Sequence, residues 1–160
     1  MIVVADTSPI NYLVLIGYEF VLPRLYGEVF IPYAVFMELN DRDTPEVVRN
    51  WMAEPPGWMG VEGPGALIPQ IGSLDAGESA GILLAERLHA DLILIDDAAA
   101  RREAESRGLN VAGTLRVLQS AAHEGLLDLA ESLARLKKTN FYVAPTLIER
   151  LLGDARSEGR

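Results

Sequence analysis

Leu92-Ile93-Leu94-Ile95 places four apolar residues in a row, with no polar residue interleaved. A strand with one wet face alternates apolar and polar residues. A continuous run instead needs both faces covered, as happens inside a parallel sheet roofed by helices on either side. Ile2-Val3-Val4-Ala5 has the same character and is followed by residues at helical spacing. Ile10, Leu13, Val14 and Ile16 fit a short helix, with Ser8 as its N-cap, Pro9 at its first position and Gly17 closing it.

The alternation continues along the chain. Leu22 to Leu25 fits a helical turn, and Glu28 to Ile31 reads as a second strand stopped by Pro32, with helices over 33–39 and 45–51. Residues 53–73 are punctuated by Pro55-Pro56-Gly57 and Gly63-Pro64-Gly65, a long connection with room for one brief strand around 58–61. The pattern then predicts a helix over 75–89 with Gly77 and Gly81 as its weak points, a strand over 91–95 and a helix over 98–107 closed by Gly108. A strand over 109–112, a helix from a Thr114 cap to about 124 and a helix over 128–138 follow. A last strand over 140–143 and a helix over 145–152 complete the reading. Strands alternating with helices predict an α/β fold, a three-layer α/β/α sandwich with a mostly parallel central sheet. The reading is one domain over 1–152, with a frayed tail over 153–160.

Composition narrows the chemistry. The chain has 160 residues, no Cys and two His, His89 and His123. Disulfides, thiolate zinc sites, iron–sulfur clusters, a Cys nucleophile and a His-rich metal site are all excluded. Asp plus Glu number 23 against 14 Lys plus Arg, a net charge of −9. That argues against a broad phosphate-binding surface. It leaves open an enzyme whose carboxylates hold a divalent cation. No apolar run approaches the roughly 20 residues of a membrane span, and the start lacks the basic and long apolar regions of a signal peptide, so a cytoplasmic location without membrane association is expected.

In a parallel sheet, ligands sit beyond the carboxyl ends of the strands. Asp6 follows the first strand, and Asp96-Asp97 follows Ile95. Glu38 lies in the mostly apolar Val35-Phe36-Met37-Glu38-Leu39, and Asp75 and Glu78 share a helix face. Each acid also has a plain structural reading. Asp75 and Glu78 can form a capping box, Asp96 or Asp97 can cap the next helix, Asp6 can sit in a turn and Glu38 can be solvated. Taken together, however, acids converging on one edge repel each other unless a cation neutralises them. Oxygen-only ligands point to Mg²⁺ or Mn²⁺, and hence to phosphoryl-transfer chemistry.

These residues resemble the PIN domain, a nuclease family that includes the VapC-type toxins of prokaryotic toxin–antitoxin pairs. Asp6-Thr7-Ser8-Pro9 is similar to its opening motif, and Ile31-Pro32-Tyr33-Ala34-Val35-Phe36-Met37-Glu38-Leu39 to its strand–proline–helix segment. Leu74-Asp75-Ala76-Gly77-Glu78, Leu94-Ile95-Asp96-Asp97-Ala98-Ala99-Ala100-Arg101 and Gly113-Thr114-Leu115-Arg116 resemble a subgroup with an L-D-x-G-E signature. The similarity spans about residues 1–152 and implies a PIN-like α/β/α fold. It implies a catalytic quartet of Asp6, Glu38, Glu78 and Asp97, with Asp6, Asp97, Asp96 and Glu78 toward Mg²⁺ or Mn²⁺. Many members carry Asp in the third acidic position, so Asp75 stands beside Glu78 as an alternative. The hydroxyl often found before the fourth acid is replaced here, which leaves Asp96 and Asp97 both as candidates.

The activity implied is metal-dependent endoribonuclease cleavage of RNA by the toxin of a type II pair. Implied partners are an RNA substrate, a cognate antitoxin that occludes the acidic groove, and a second copy in a homodimer. Arg101 is a candidate for substrate phosphate or for a salt bridge. Ser8 and Thr114 are candidates for binding substrate or water, or for capping, and Lys137-Lys138 suits a helix C-terminus. Tyr12, Leu13, Phe36, Trp51 and Trp58 can form either a partner surface or core. Two rival readings are a non-catalytic module on the same fold and an aspartate-based phosphatase or phosphotransferase. The latter normally carries a second Asp where Ser8 stands.

Overall fold

A computed structural model describes residues 1–63 and 69–158. Five strands form one sheet: β1 (Val3–Ala5), β2 (Val29–Pro32), β3 (Met59–Glu62), β4 (Leu92–Leu94) and β5 (Val111–Ala112). Their order is β3-β2-β1-β4-β5 and every pairing is parallel. The central strand is therefore β1, with Val3 in register with Val29 on one side and Leu92 on the other.

The unbroken apolar runs have the expected cause. Val3, Ala5, Val29, Ile31 and Leu94 face one core, and Val4, Ile93 and Ile95 face the other. This is the period-two alternation of a strand whose two faces are both dry. The first core is roofed by α1 (Thr7–Ile16), α2 (Val21–Tyr26), α3 (Tyr33–Leu39), α4 (Glu46–Met52), α7 (Thr114–His123), α8 (Leu129–Lys137) and α9 (Pro145–Glu158). The second lies under α5 (Ala76–Arg87) and α6 (Ala98–Ser106). The three-layer α/β/α architecture read from the sequence forms. Among the described residues, no helix is long and apolar enough to cross a membrane.

Four local readings are corrected. The N-cap position of α1 is Asp6 rather than Ser8, whose hydroxyl donates to Asp96 instead. Thr114 is the first residue of α7, whose N-cap is Gly113. Residues 140–143 form no strand. Phe141 packs edge-on against Tyr12 with ring centroids 4.9 Å apart, and the Tyr12 hydroxyl donates to Asn140 Oδ1 at 2.6 Å. These side-chain contacts hold the segment beside Asp6 and Asp96, and among the described residues it makes no ladder with β5. Finally, the last helix does not stop at 152. It runs through Gly153 to Glu158, with Leu151 buried and Leu152 and Ala155 packed on the first core.

The 53–73 connection supplies the edge strand β3, paired along its length with β2. Its second turn signal, Pro64-Gly65, lies outside the described residues. Leu13 is buried, and Tyr12, Phe36, Trp51 and Trp58 are half-buried against the first core, with the two indoles 5.9 Å apart.

Candidate active site

The strand order places a site before any side chain is considered. From β1 the chain builds outward through β2 and β3, then crosses to the other side for β4 and β5. The direction of winding reverses between β1 and β4. At such a reversal the flanking loops diverge and leave a crevice at the carboxyl end of the sheet. The Asp6 N–H, donating to Leu94 O at 2.9 Å, marks the floor of that crevice. A cleft of about 520 Å³ opens there, lined by six acids, Asp6, Glu38, Asp75, Glu78, Asp96 and Asp97, and, among the described residues, by no Lys or Arg. Every acid singled out in the sequence thus reaches the same cleft.

Asp6 is the deepest. Only 5% of it is exposed, and its Oδ1 has no hydrogen-bond partner among the described residues. Burial pushes its carboxyl up to about 7, with the charges of Asp75, Glu38 and Asp96 adding to the effect and the Thr7 N–H opposing it. Glu38 is held from two sides. Its Oε2 accepts from the Thr7 hydroxyl at 2.5 Å and its Oε1 from the Gly77 N–H at 3.2 Å, which ties α3 to the first turns of α1 and α5. Burial raises its pKa as well, against the lowering effect of those two donors.

Asp75 and Glu78 divide the roles that the sequence left open. Asp75 is the N-cap of α5, its Oδ1 accepting from the Glu78 N–H at 2.8 Å. Glu78 is pushed up to about 8, first by burial, then by its contact with the Asp75 carboxyl and by the charges of Asp75, Asp6 and Asp97. Its buried Oε2 has no partner among the described residues. At the other pair, Asp97 caps α6, with Oδ2 accepting from the Ala100 N–H at 3.0 Å. Asp96 is pinned three times. Its Oδ2 accepts from the Ser8 and Thr114 hydroxyls and its Oδ1 from the Thr114 N–H, each at 2.7 Å.

Of the three candidates for substrate contact, two are bonded to another acid and the third stands beside the cleft. Ser8 and Thr114 direct their hydroxyls at Asp96, and Thr114 is fully buried. They position an acid. Arg101 lies outside the acidic cleft, on an adjoining groove. Sequence reasoning missed Thr7, whose hydroxyl steers Glu38, and the contact roles of Gly77 and Gly113. A Cβ at Gly77 would stand 2.7 Å from Glu38 Oε1, and one at Gly113 2.7 Å from Asp96 Oδ1. Both glycines admit a carboxylate that any larger residue would displace.

Among the described residues, no three acids stand in ready-made geometry around a single point. The orphaned oxygens of Asp6 and Glu78 nevertheless suit a hydrated hard cation. Such an ion keeps several of its waters and needs only one or two direct carboxylates. Without a cation the cleft carries an internal cost that depends on pH. The folded chain holds the Asp6 proton more tightly than the unfolded chain does. The Asp6 contribution to stability is therefore fully present below about pH 4 and is lost as pH climbs through about 7. A carboxyl raised that far withdraws roughly 2–4 kcal/mol at pH 8. Urea melts of the EDTA-treated protein are expected to show a lower midpoint at pH 8 than at pH 5. A midpoint that rises with pH would contradict the buried, unpaired state of Asp6.

No curated protein matches the chain. Among solved structures it is similar to a PilT N-terminus domain protein from the archaeon Sulfolobus solfataricus P2. The identity is 16%, covering 90% of this chain and 100% of that one, with a TM-score of 0.49. A family model described as PIN domain matches residues 2–157, nearly the whole length that carries the sheet and its six acids. The chain belongs to the PIN domain family.

Proposed function

We propose that this protein is a metal-dependent endoribonuclease that cleaves RNA phosphodiester bonds, acting as the toxin of a type II toxin–antitoxin pair. The observation that carries the reading is the pair of buried, unpartnered carboxylate oxygens, Asp6 Oδ1 and Glu78 Oε2, in a cleft of six acids at the winding reversal of the sheet. A cleft that ill-disposed toward its own charge is suited to a cation.

Asp6 and Asp97 are the central ligands in this reading, with Asp96 and Glu78 beside them. Mg²⁺ or Mn²⁺ bound there supplies positive charge for the phosphate oxygens and a more acidic water as nucleophile. The remaining work belongs to the chain. Ser8 and Thr114 hold Asp96 in one orientation, so its carboxylate needs no rearrangement when substrate arrives. Glu38, gripped by Thr7 and Gly77, faces the cleft at fixed depth and orients the attacking water. The partners in this proposal are an RNA substrate, a second copy of the chain and a cognate antitoxin whose segment covers the acidic cleft. An aspartyl-phosphate mechanism is disfavoured, because Ser8 stands where its second acid belongs and is already bonded to Asp96.

The test is incubation of the purified protein with a mixed RNA pool in Mn²⁺, Mg²⁺ or EDTA, alongside Mn²⁺ calorimetry. Cleavage in both metals, none in EDTA, and a measurable heat of Mn²⁺ binding are expected. Absence of both cleavage and Mn²⁺ binding would reduce the chain to a non-catalytic module.

A further inference from the structure

Beside the acidic cleft runs a second groove, of about 380 Å³, between α6, α7 and α9. The two are continuous, since Asp96, Phe141 and Tyr142 line both. Their chemistry is opposite. The second groove presents Arg101 from α6 and Arg116 with Gln119 from one face of α7, over an apolar floor that includes Leu147 and Leu151 of α9.

Some arginines of this acidic chain are tied up in ion pairs. Arg107 is bonded to both Glu86 and Glu103, and Arg135 to Glu131. Arg101 and Arg116 have no carboxylate within ion-pair distance among the described residues. They sit where a strand leaving the acidic cleft would pass. At the junction stands Tyr142, 84% exposed, while its neighbour Phe141 is turned onto Tyr12. A phenol ring left in solvent beside two guanidiniums and an apolar floor matches a flexible polyanion with unpaired aromatic bases. In a duplex the bases are stacked on one another and offer no face to such a ring.

We infer that this groove is the track for a single-stranded RNA segment flanking the cleaved bond, with Arg101 and Arg116 on phosphates and Tyr142 stacked on a base. The inference rests on the ribonuclease reading for its purpose, but its test does not require cleavage. The probe is a 5′-labelled, mixed-sequence 12-nucleotide RNA, measured by fluorescence anisotropy in EDTA with the full chain. Arg116→Gln is expected to weaken binding about 5-fold at moderate salt and to flatten the salt dependence by about 0.7 in log–log slope, the signature of one lost phosphate contact to a single strand. Tyr142→Ala is expected to weaken it about tenfold with the slope unchanged. Arg87→Gln on α5, with the same change in charge, is expected to bind as wild type. A duplex of the same sequence gains nothing from Tyr142.

If Arg116→Gln and Tyr142→Ala both bind like Arg87→Gln, the track is overturned. It is equally overturned if polyglutamate, but not the RNA, loses affinity with Arg116→Gln, which assigns the groove to an acidic protein segment. The two proposals separate cleanly. Binding losses without Mn²⁺-dependent cleavage by the wild type keep the track and remove the ribonuclease. Cleavage whose kcat/KM is unchanged in both variants keeps the ribonuclease and removes the track.

Discussion

Asp6→Asn is expected to abolish metal-dependent RNA cleavage and, in the same molecule, to stabilise the metal-free fold. The substitution keeps the shape of the side chain and removes its charge. Asp6 sits at the floor of the cleft with one oxygen unpartnered and its carboxyl raised to about 7. Removing a ligand that offsets several kcal/mol of developing charge corresponds to a loss of about 10³-fold or more in kcat/KM, at ~1.4 kcal/mol per tenfold. The same charge is what the empty cleft tolerates least. In EDTA at pH 8 the Asn variant is expected to regain much of the roughly 2–4 kcal/mol that ionised Asp6 withdraws. For a domain of this size that is a rise of about 5–10 °C in Tm. The gain should shrink toward pH 5, where wild-type Asp6 is already protonated, and should reverse when Mn²⁺ is added, because only the wild type then gains from binding. Scanning fluorimetry at two pH values, with and without Mn²⁺, reads all of this. Undiminished cleavage by contaminant-free Asp6→Asn would remove Asp6 from the site. A fall in its metal-free Tm at pH 8 would show that the carboxylate supports the fold rather than straining it.

The parts of this molecule legible in its sequence are those governed by near neighbours. Leu92 to Ile95 needs two dry faces wherever it lies, so the parallel sheet and its covering helices follow from four residues. Asp6 and Asp96 follow strands, and strand ends of a parallel sheet share one rim. The convergence of Asp6, Glu38, Asp75, Glu78, Asp96 and Asp97 could therefore be expected without coordinates. What the sequence hides are contacts chosen by the fold. Ser8 before Pro9 looks like a cap, yet its hydroxyl finds Asp96, 88 positions away. Thr114 satisfies every local rule for an N-cap and serves the same acid instead.

Asn140-Phe141-Tyr142-Val143 has the composition of a strand. Packing of Phe141 on Tyr12 overrides that propensity, because β-preference largely reflects the surface available to pack on. The end of α9 was obscured by Gly153. The i, i+4 series Leu147, Leu151 and Ala155 passes straight through it, and that periodicity is the signal that outweighs one glycine.

Gly77 shows the difference between a weak point in a helix and a necessary one. By propensity alone, Gly77→Ala ought to stabilise α5 by up to about 1 kcal/mol. At this position the new Cβ would stand 2.7 Å from Glu38 Oε1 and 3.0 Å from both its Cδ and its Oε2. Glu38 cannot simply swing aside, because its Oε2 is bonded to Thr7 and its Oε1 to the Gly77 N–H. The carboxylate must leave that position or α5 must lift from α3. Gly77→Ala is therefore expected to lower kcat/KM about 10–100-fold, the range typical when a group that orients an active-site ligand is lost, and to leave Tm unchanged or lower. Gly153→Ala is the matched control. It lies in a helix with nothing within 4 Å of the added methyl, so it gains the propensity alone. That is a rise of about 2–4 °C in Tm with unaltered cleavage. If Gly77→Ala behaves like Gly153→Ala in both measurements, the position of the Glu38 carboxylate does not matter to the reaction. If only the first variant loses activity, the glycine of the L-D-x-G-E segment is there to make room for an acid from another helix.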